Sequence, residues 1–264
     1  FNRTRLSAFS ITEQSVKEAY HWLLVNKATY LFGYPSTIAD FAKMCTQVLD
    51  LDLNKLSLKF IMATGETLTD KQRDYIKEKF ACTVGNYYGS VEGGAGAFSG
   101  LEGHMHENME TTHVFVNSEG RIFQTDLFLR KMPLIKFDMG DYCEIPSQEI
   151  IAKPAHRVVG KIIGRSGEKI KLPNGEFIHP MHLNYFFDLF TEEQNIRRFR
   201  FLFGKDKIVL LLEPLKDDIP KKFLLAMNLE LDKIFKGNKV IMEFVTELPT
   251  LSNGKHRDWS YTEK

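Results

Sequence analysis

Hydrophobic positions follow two different periods, and where the period changes the chain changes character. Residues 12–25 place Val16, Ala19, Tyr20, Leu23 and Leu24 at helical spacing. Tyr30-Leu31-Phe32 reads as a short buried strand ending at Gly33, and Ser36 is placed to cap a helix carrying Ile38, Phe41, Ala42, Cys45, Val48 and Leu49. Residues 58–62 form another apolar run that ends before Gly65-Glu66. Thr69 and Gln72 are spaced as a capping box for a helix reaching about Phe80. Cys82-Thr83-Val84 is a further buried strand. Strand, loop and helix in this alternation predict a parallel α/β sheet, in which ligands sit at the carboxyl ends of the strands. The loops at 33–36, 63–67 and 86–94 all fall at such ends.

From about Thr111 the pattern shortens. Residues 114–116, 121–128, 134–137, 142–145 and 157–163 read as brief strands split by turn signals such as Asn117-Ser118-Glu119-Gly120. After Gly164 it shifts again. A helix is expected over 181–190 with Leu183, Phe186, Phe187 and Phe190 on one face, then a hairpin of 198–203 and 207–212 around Gly204-Lys205-Asp206. A helix opening near Pro220 buries Phe223, Leu224, Met227, Leu231, Ile234 and Phe235, and 239–245 is read as the final strand. The predicted class is α/β: a parallel α/β sheet portion with a β-rich lobe (1–163), followed by a smaller α+β C-terminal domain (164–264). The boundary is set at Gly164-Arg165-Ser166-Gly167.

Composition narrows the function classes. A net charge of +1 over 264 residues gives no basis for binding nucleic acid or an acidic membrane surface. No run of about 18 apolar residues occurs, so no membrane span is expected, and no signal peptide is visible. The three cysteines, Cys45, Cys82 and Cys143, lack metal-ligand spacing and suit a reducing, cytoplasmic setting. The chain opens on Phe1, and its first residues read as the middle of a domain, so an upstream portion is expected.

The chemistry is expected in Asn86-Tyr87-Tyr88-Gly89-Ser90-Val91-Glu92-Gly93-Gly94, where glycines permit close backbone approach around a carboxylate. A plain surface turn is the alternative. Four further elements carry similar pairs of readings. Asp138-Met139-Gly140-Asp141 is a hairpin turn or holds a carboxylate that accepts both hydroxyls of a ribose. Gly164-Arg165-Ser166-Gly167 is a solvated basic turn or, since the domain boundary falls there, a hinge. Gly65-Glu66-Thr67 is a plain connection or a ligand loop. Ser252-Asn253-Gly254 makes a turn that presents Lys255, which by composition alone is a solvated lysine unless its place near the chain end marks a site. His104, His106, Glu107 and His113 tempt a zinc reading, but no further ligands with sensible spacing accompany them.

In order along the chain these elements resemble a known family. Tyr88-Gly89-Ser90-Val91-Glu92 is similar to the tyrosine-glycine-x-threonine-glutamate motif of the adenylate-forming enzymes, with Val91 in place of threonine. More narrowly the chain resembles the phenylacetate–CoA ligase branch and its capsule-biosynthesis relatives. Lys136 to Asp141 resembles that family's tyrosine-arginine-threonine-glycine-aspartate element, with Phe137 for tyrosine and Asp138 for a basic residue. Gly164-Arg165 resembles its hinge, with Gly167 where aspartate is usual, and Pro249 to Arg257 resembles its C-terminal glycine-lysine element.

The resemblance implies ATP-dependent activation of a small carboxylic acid as an acyl-adenylate, then transfer to CoA. By it, Glu92 holds Mg²⁺; Asp141 and Arg165 hold the ribose or phosphate of ATP or AMP. Gly65, Glu66 and Thr67 lie beside the adenine. Tyr87, Tyr88, Gly89 and Ser90 complete the nucleotide site, and Gly93, Gly94 and Ala95 line the acyl pocket. Lys255 bridges the acid and the α-phosphate. The family's Gly/Ser/Thr-rich phosphate loop does not occur in this sequence, so the isolated chain is expected to be inactive. Two other readings stay open: transfer to an amine or hydroxyl of a sugar or carrier, and a non-catalytic nucleotide-binding module. The acyl substrate, the acceptor and the oligomeric state are not fixed by the sequence.

Overall fold

The computed structural model describes residues 4–6, 11–99, 105–128, 131–144, 156–165, 169–178, 180, 182–183, 186, 196–215, 219–248 and 258–262. Helix α1 (Glu13–Val25) starts at Thr12, whose hydroxyl accepts from Ser15 N at 3.2 Å while Ser15 Oγ accepts from Thr12 N at 2.9 Å. Strand β1 (Tyr30–Gly33), helix α2 (Pro35–Lys43), strand β2 (Phe60–Thr64), helix α3 (Asp70–Phe80) and strand β3 (Thr83–Ser90) follow. β1, β2 and β3 are parallel, as the alternation predicts. β4 (Gly94–Ser99) and β5 (Met105–Glu107) then extend the same sheet antiparallel, in the order β1-β2-β3-β4-β5. Val16, Leu23, Ile38, Ile61, Ile76 and Phe80 are among the side chains that close the core between the helices and this sheet.

Three local expectations are corrected here. β1 is an edge strand with one neighbour, so Tyr30 and Phe32 are exposed rather than buried. Pro35, not Ser36, opens α2, since its fixed φ suits a first turn; Ser36 instead offers its backbone N–H to Glu66 Oε2 at 3.1 Å. Residues 86–90 are strand, not loop. The glycines let β3 and β4 close on each other at a bulge, where any side chain on Gly89 would strike the backbone oxygen of Gly94.

The lobe is a four-stranded antiparallel sheet of β6 (Thr112–Val116), β7 (Arg121–Asp126), β8 (Phe137–Cys143) and β9 (Ile162–Arg165). The separate strands expected at 134–137 and 142–145 are one strand. Asp138 to Asp141 lie inside it, as a bulge: Arg121 pairs with Tyr142 but Phe123 pairs with Asp138. Gly140 takes φ +70° there.

The remainder of the chain has its own core. A short ribbon of β10 (Ile170–Lys171) and β11 (Phe177–Ile178) accompanies a sheet of order β14-β13-β12-β15. Its strands are β12 (Ile196–Phe203), β13 (Ile208–Pro214), β14 (Val240–Phe244) and β15 (Trp259–Tyr261), with helix α4 (Lys221–Phe235) packed against them. Phe199, Phe201, Phe203 and Phe235 form a chain of ring contacts at 5.3–6.2 Å. β15 is a strand beyond the one read as last, and it pairs parallel with β12. The helix expected at 181–190 falls largely outside the described residues. Among the described residues no helix is long and apolar enough to cross a membrane.

The two cores meet through charge. The register of β12 shifts between Ile196 and Arg198, and this bulge turns two consecutive arginines toward one carboxylate. Arg197 grips Asp40 of α2 through both carboxylate oxygens, at 2.7 and 2.9 Å, and Arg198 adds a third bond at 2.7 Å. Arg197 also reaches Glu213 at 3.0 Å and the carbonyl of Ile11 at 2.6 Å, and Lys43 donates to the carbonyl of Ile196 at 3.2 Å. Asp40, Lys43 and Glu213 are all buried. Removing one partner from such a set leaves buried charge unpaired. Asp40→Ala is therefore expected to cost about 3–5 kcal/mol in urea unfolding, and a loss below about 1 kcal/mol would mean that the cluster is only a surface contact.

Candidate functional site

Tyr88, Asp141 and the backbone of Arg165, among the residues singled out by sequence, come together where the first sheet meets the lobe. The Tyr88 hydroxyl, from β3, donates to Asp141 Oδ2 at 2.9 Å. Those residues stand 53 apart in the chain, and the bulge in β8 aims Asp141 at the tyrosine. Asp138, on the near side of that bulge, is paired with Arg121 and accepts from Gly140 N at 3.0 Å. Its carboxyl is held below the usual range by the Arg121 guanidinium and the Gly140 N–H. Asp138 therefore fixes the bulge, and Asp141 is the carboxylate presented beside Tyr88.

Asp141 pairs in register with Arg165 on β9, so the two backbones are adjacent. One residue earlier, Gly164 takes φ +118°, where a side chain would be strained, and a Cβ there would stand 3.5 Å from Thr67 Oγ1. The 65–67 loop, with Gly65 at φ +77°, thus borders the same place. Glu66 points back to the start of α2, where its carboxylate meets the Ser36 N–H and the favourable end of the helix dipole. Thr64 Oγ1 donates to the carbonyl of Tyr87 at 3.1 Å and ties β2 to β3, while the Tyr87 ring meets Phe32 edge-on at 6.0 Å.

Glu92 sits at the tip of the β3–β4 hairpin and is exposed, beside a Val91 that is 99% exposed. Ser90 Oγ accepts from Gly93 N at 2.9 Å and closes the tip. Gly93 is buried against Gln124 of β7, Gly94 faces Asp126, and Ala95 is half-buried. An exposed carboxylate on a rigid hairpin suits a hard cation that keeps most of its waters and is shared with phosphate. Lys255 and His104 lie outside the described residues. Of the histidine group, Glu107 is buried and binds Arg157 at 2.6–2.8 Å, Val114 N at 2.6 Å and His113 at 3.1 Å. It works as a junction between β5 and the lobe. Among the described residues no group of three or more metal-ligating side chains occurs.

Two participants were not singled out from the sequence. Gln124 is a polar residue in the core-facing alternation of β7, which is the signal that marks it. Asp258 lies just before β15, and no pattern marks it. Its half-buried carboxyl is pushed up to about 7, first by burial and then by the Glu66 carboxylate, against an opposing Arg200.

No family model and no curated protein matches the sequence. Solved structures do share the fold. A 2-hydroxyisobutyryl-CoA ligase in the postadenylation state in complex with 2-HIB-AMP superposes with TM-score 0.77 at 16% identity, covering 96% of this chain and 58% of that one. The same ligase with 2-HIB-AMP and CoA in the thioesterification state gives 0.56 at 15% identity, covering 97% and 58%. The anthranilate CoA ligase in complex with anthranoyl-AMP gives 0.64 at 15% identity, covering 94% and 52%. The fold is thus that of the adenylate-forming CoA ligases, and the chain spans little more than half the length of these relatives.

The Asp258 position generates a test. An acid whose pKa rises on folding, from the ordinary value of about 4, takes up a proton as the structure forms. Its contribution to stability is fully present below about pH 4 and is lost as pH rises through about 7. Lys43, lowered to about 8 by burial, acts in a separate alkaline window. Asp258→Asn should therefore flatten the fall in urea-unfolding free energy between pH 5 and 7.5, and an unchanged slope would contradict the carboxylate's placement.

Proposed function

We propose that this chain is part of an ATP-dependent acid–thiol ligase, which activates a carboxylic acid as an acyl-adenylate and then passes the acyl group to CoA. The observation that carries the reading is the Tyr88–Asp141 hydrogen bond, in which two separately recognised motif residues become one polar surface beside Arg165. Asp141 is presented on a rigid bulge, as a carboxylate that accepts ribose hydroxyls must be. The 65–67 loop borders the base. Glu92, at the exposed tip, would take a share of Mg²⁺, which supplies charge neutralisation at the phosphates when bound. The fold neighbours in complex with acyl-AMP and CoA support both half-reactions.

A carboxylate is a poor electrophile until its oxygen is joined to the α-phosphate, so positioning and electrostatics do most of the work. In the reading proposed here Asp141 and Arg165 fix the nucleotide, and Lys255 stabilises the charge that builds as the acid attacks. Residues 1–163 form the end of a large domain and 164–264 a small domain that moves on Gly164. A small or aromatic acid is the substrate class, following the resemblance to phenylacetate–CoA ligases. Three free, buried thiols fit a reducing compartment such as the cytoplasm.

The direct test is AMP binding by calorimetry. Asp141→Ala should weaken it by about tenfold or more, the worth of a charge-assisted hydrogen bond, and Tyr88→Phe by less. Equal affinity in all three proteins would remove the nucleotide reading. Lys255 tests the mechanism in the complete protein. Lys255→Ala should slow adenylation by about 100- to 1000-fold and slow thioester formation from supplied acyl-adenylate far less. Equal losses in single-turnover assays of the two steps would rule out a lysine that serves adenylation alone.

A further inference from the structure

We infer that Gln124 is a positioning residue for Glu92. The inference rests on the function proposed above, in which Glu92 serves the phosphate end of the nucleotide. Gln124 lies on β7 with Ile122, and both are fully buried. An aliphatic side chain would complete that face at no polar cost. Instead the amide Nε2 donates to the carbonyl of Gly93, the residue that follows Glu92. The Oε1 atom is buried with no hydrogen-bond partner among the described residues. A buried carbonyl left unbonded is costly, so the amide is retained for what its N–H holds.

The hairpin is shaped to this amide. A Cβ on Gly93 would stand 3.1–3.3 Å from all three terminal atoms of Gln124, and one on Gly96 would stand 2.7 Å from Oε1. The Gly93 peptide is thus held on both sides: Ser90 Oγ takes its N–H from within the tip, and Gln124 takes its carbonyl from the lobe. Val91 and Glu92 project into solvent. The height of the Glu92 carboxylate above the site is therefore set from β7, the strand whose Arg121 also fixes the bulge that presents Asp141.

The test uses Gln124→Met, which keeps the volume and removes the donor. Amide hydrogen exchange on the unliganded chain reads the tip directly. Exchange over residues 90–96 should quicken roughly tenfold, the effect of one lost hydrogen bond, whereas Glu92→Gln should leave it unchanged. In the complete protein the Mg²⁺ half-saturation for adenylation should rise about tenfold, as expected of a displaced charge. The double variant should be no worse than Glu92→Gln, because both act through one group. Wild-type exchange at the tip, or lower stability with unaltered Mg²⁺ dependence, would overturn the inference. Gln124→Asn, which keeps an amide but shortens its reach, is read the same way if the methionine variant does not fold. Normal Mg²⁺ dependence in Glu92→Gln alone would instead remove the underlying function, and this inference with it.

Discussion

The arrangement of the two halves depends on one carboxylate. Asp40 is buried in the sheet-bearing half and accepts three bonds from Arg197 and Arg198 of the other. Consecutive residues on a regular strand point to opposite faces, so both arginines could not reach Asp40 without the bulge after Ile196. Burying these charges is costly wherever they are unpaired, and an apolar interface of the same size could be as stable. What the ion cluster adds is discrimination. A sliding apolar face tolerates a small displacement, whereas a bidentate guanidinium displaced by an ångström leaves three charges without partners. The halves therefore have one well-defined docked geometry, and leaving it requires water to reach Asp40, Lys43 and Glu213 together.

That geometry matters because the candidate site draws on both halves and on the lobe between them. The first sheet supplies Tyr88 and Glu92, the lobe supplies Asp141, and Asp258, just before the last strand, feels the charge of Glu66. Two backbone irregularities do the aiming. The β8 bulge carries Asp141, and the glycine-rich β3–β4 hairpin carries Glu92. Both are braced from β7, through Arg121 to Asp138 and through Gln124 to Gly93. Flexible residue types are thus held rigid by a neighbouring strand. This reconciles a glycine-rich segment with a site that needs fixed charges.

Much of this was legible in the sequence. Helical periodicity located α1, α2 and α4, because each buries one stripe of apolar residues, and the capping spacing of Thr69 and Gln72 located α3. The parallel order of β1, β2 and β3 followed from the helices between them. What misled was glycine and aspartate, whose local preference is for turns. At 86–90 that preference hid a strand, since the tolerance for close approach that marks a loop also lets two strands press together at Gly89. At 138–141 it hid a bulge inside one strand, because the Asp138–Arg121 pair that stabilises it is set by residues 17 apart. Trp259-Ser260-Tyr261 is too short to show a period. The motif residues were legible through resemblance; the contacts that hold them, such as the buried amide of Gln124, lie in an alternation whose polar member reads as an exception.

Charge balance at the site sharpens the proposed reading. In that reading Glu66, Glu92 and Asp141 belong to it, Asp258 lies within reach of Glu66, and a triphosphate would add more negative charge. Burial first, and the Glu66 carboxylate second, push the Asp258 carboxyl up to about 7 against an opposing Arg200. A nucleotide can enter such a place only with compensating cations. Arg200 already stands against Asp258, and the proposed function assigns Arg165 as a second. In the proposed function the rest is supplied by a divalent ion at the phosphates and by Lys255. A lysine fixed in the site would bind ATP and product alike, and so would hold the product state as firmly as it lowers the barrier. The proposed function carries that charge on the half that docks through Asp40, and undocking would let it be present while charge builds on the phosphate and absent afterwards. On this argument the acidity of the site and the separability of the halves are two sides of one electrostatic requirement.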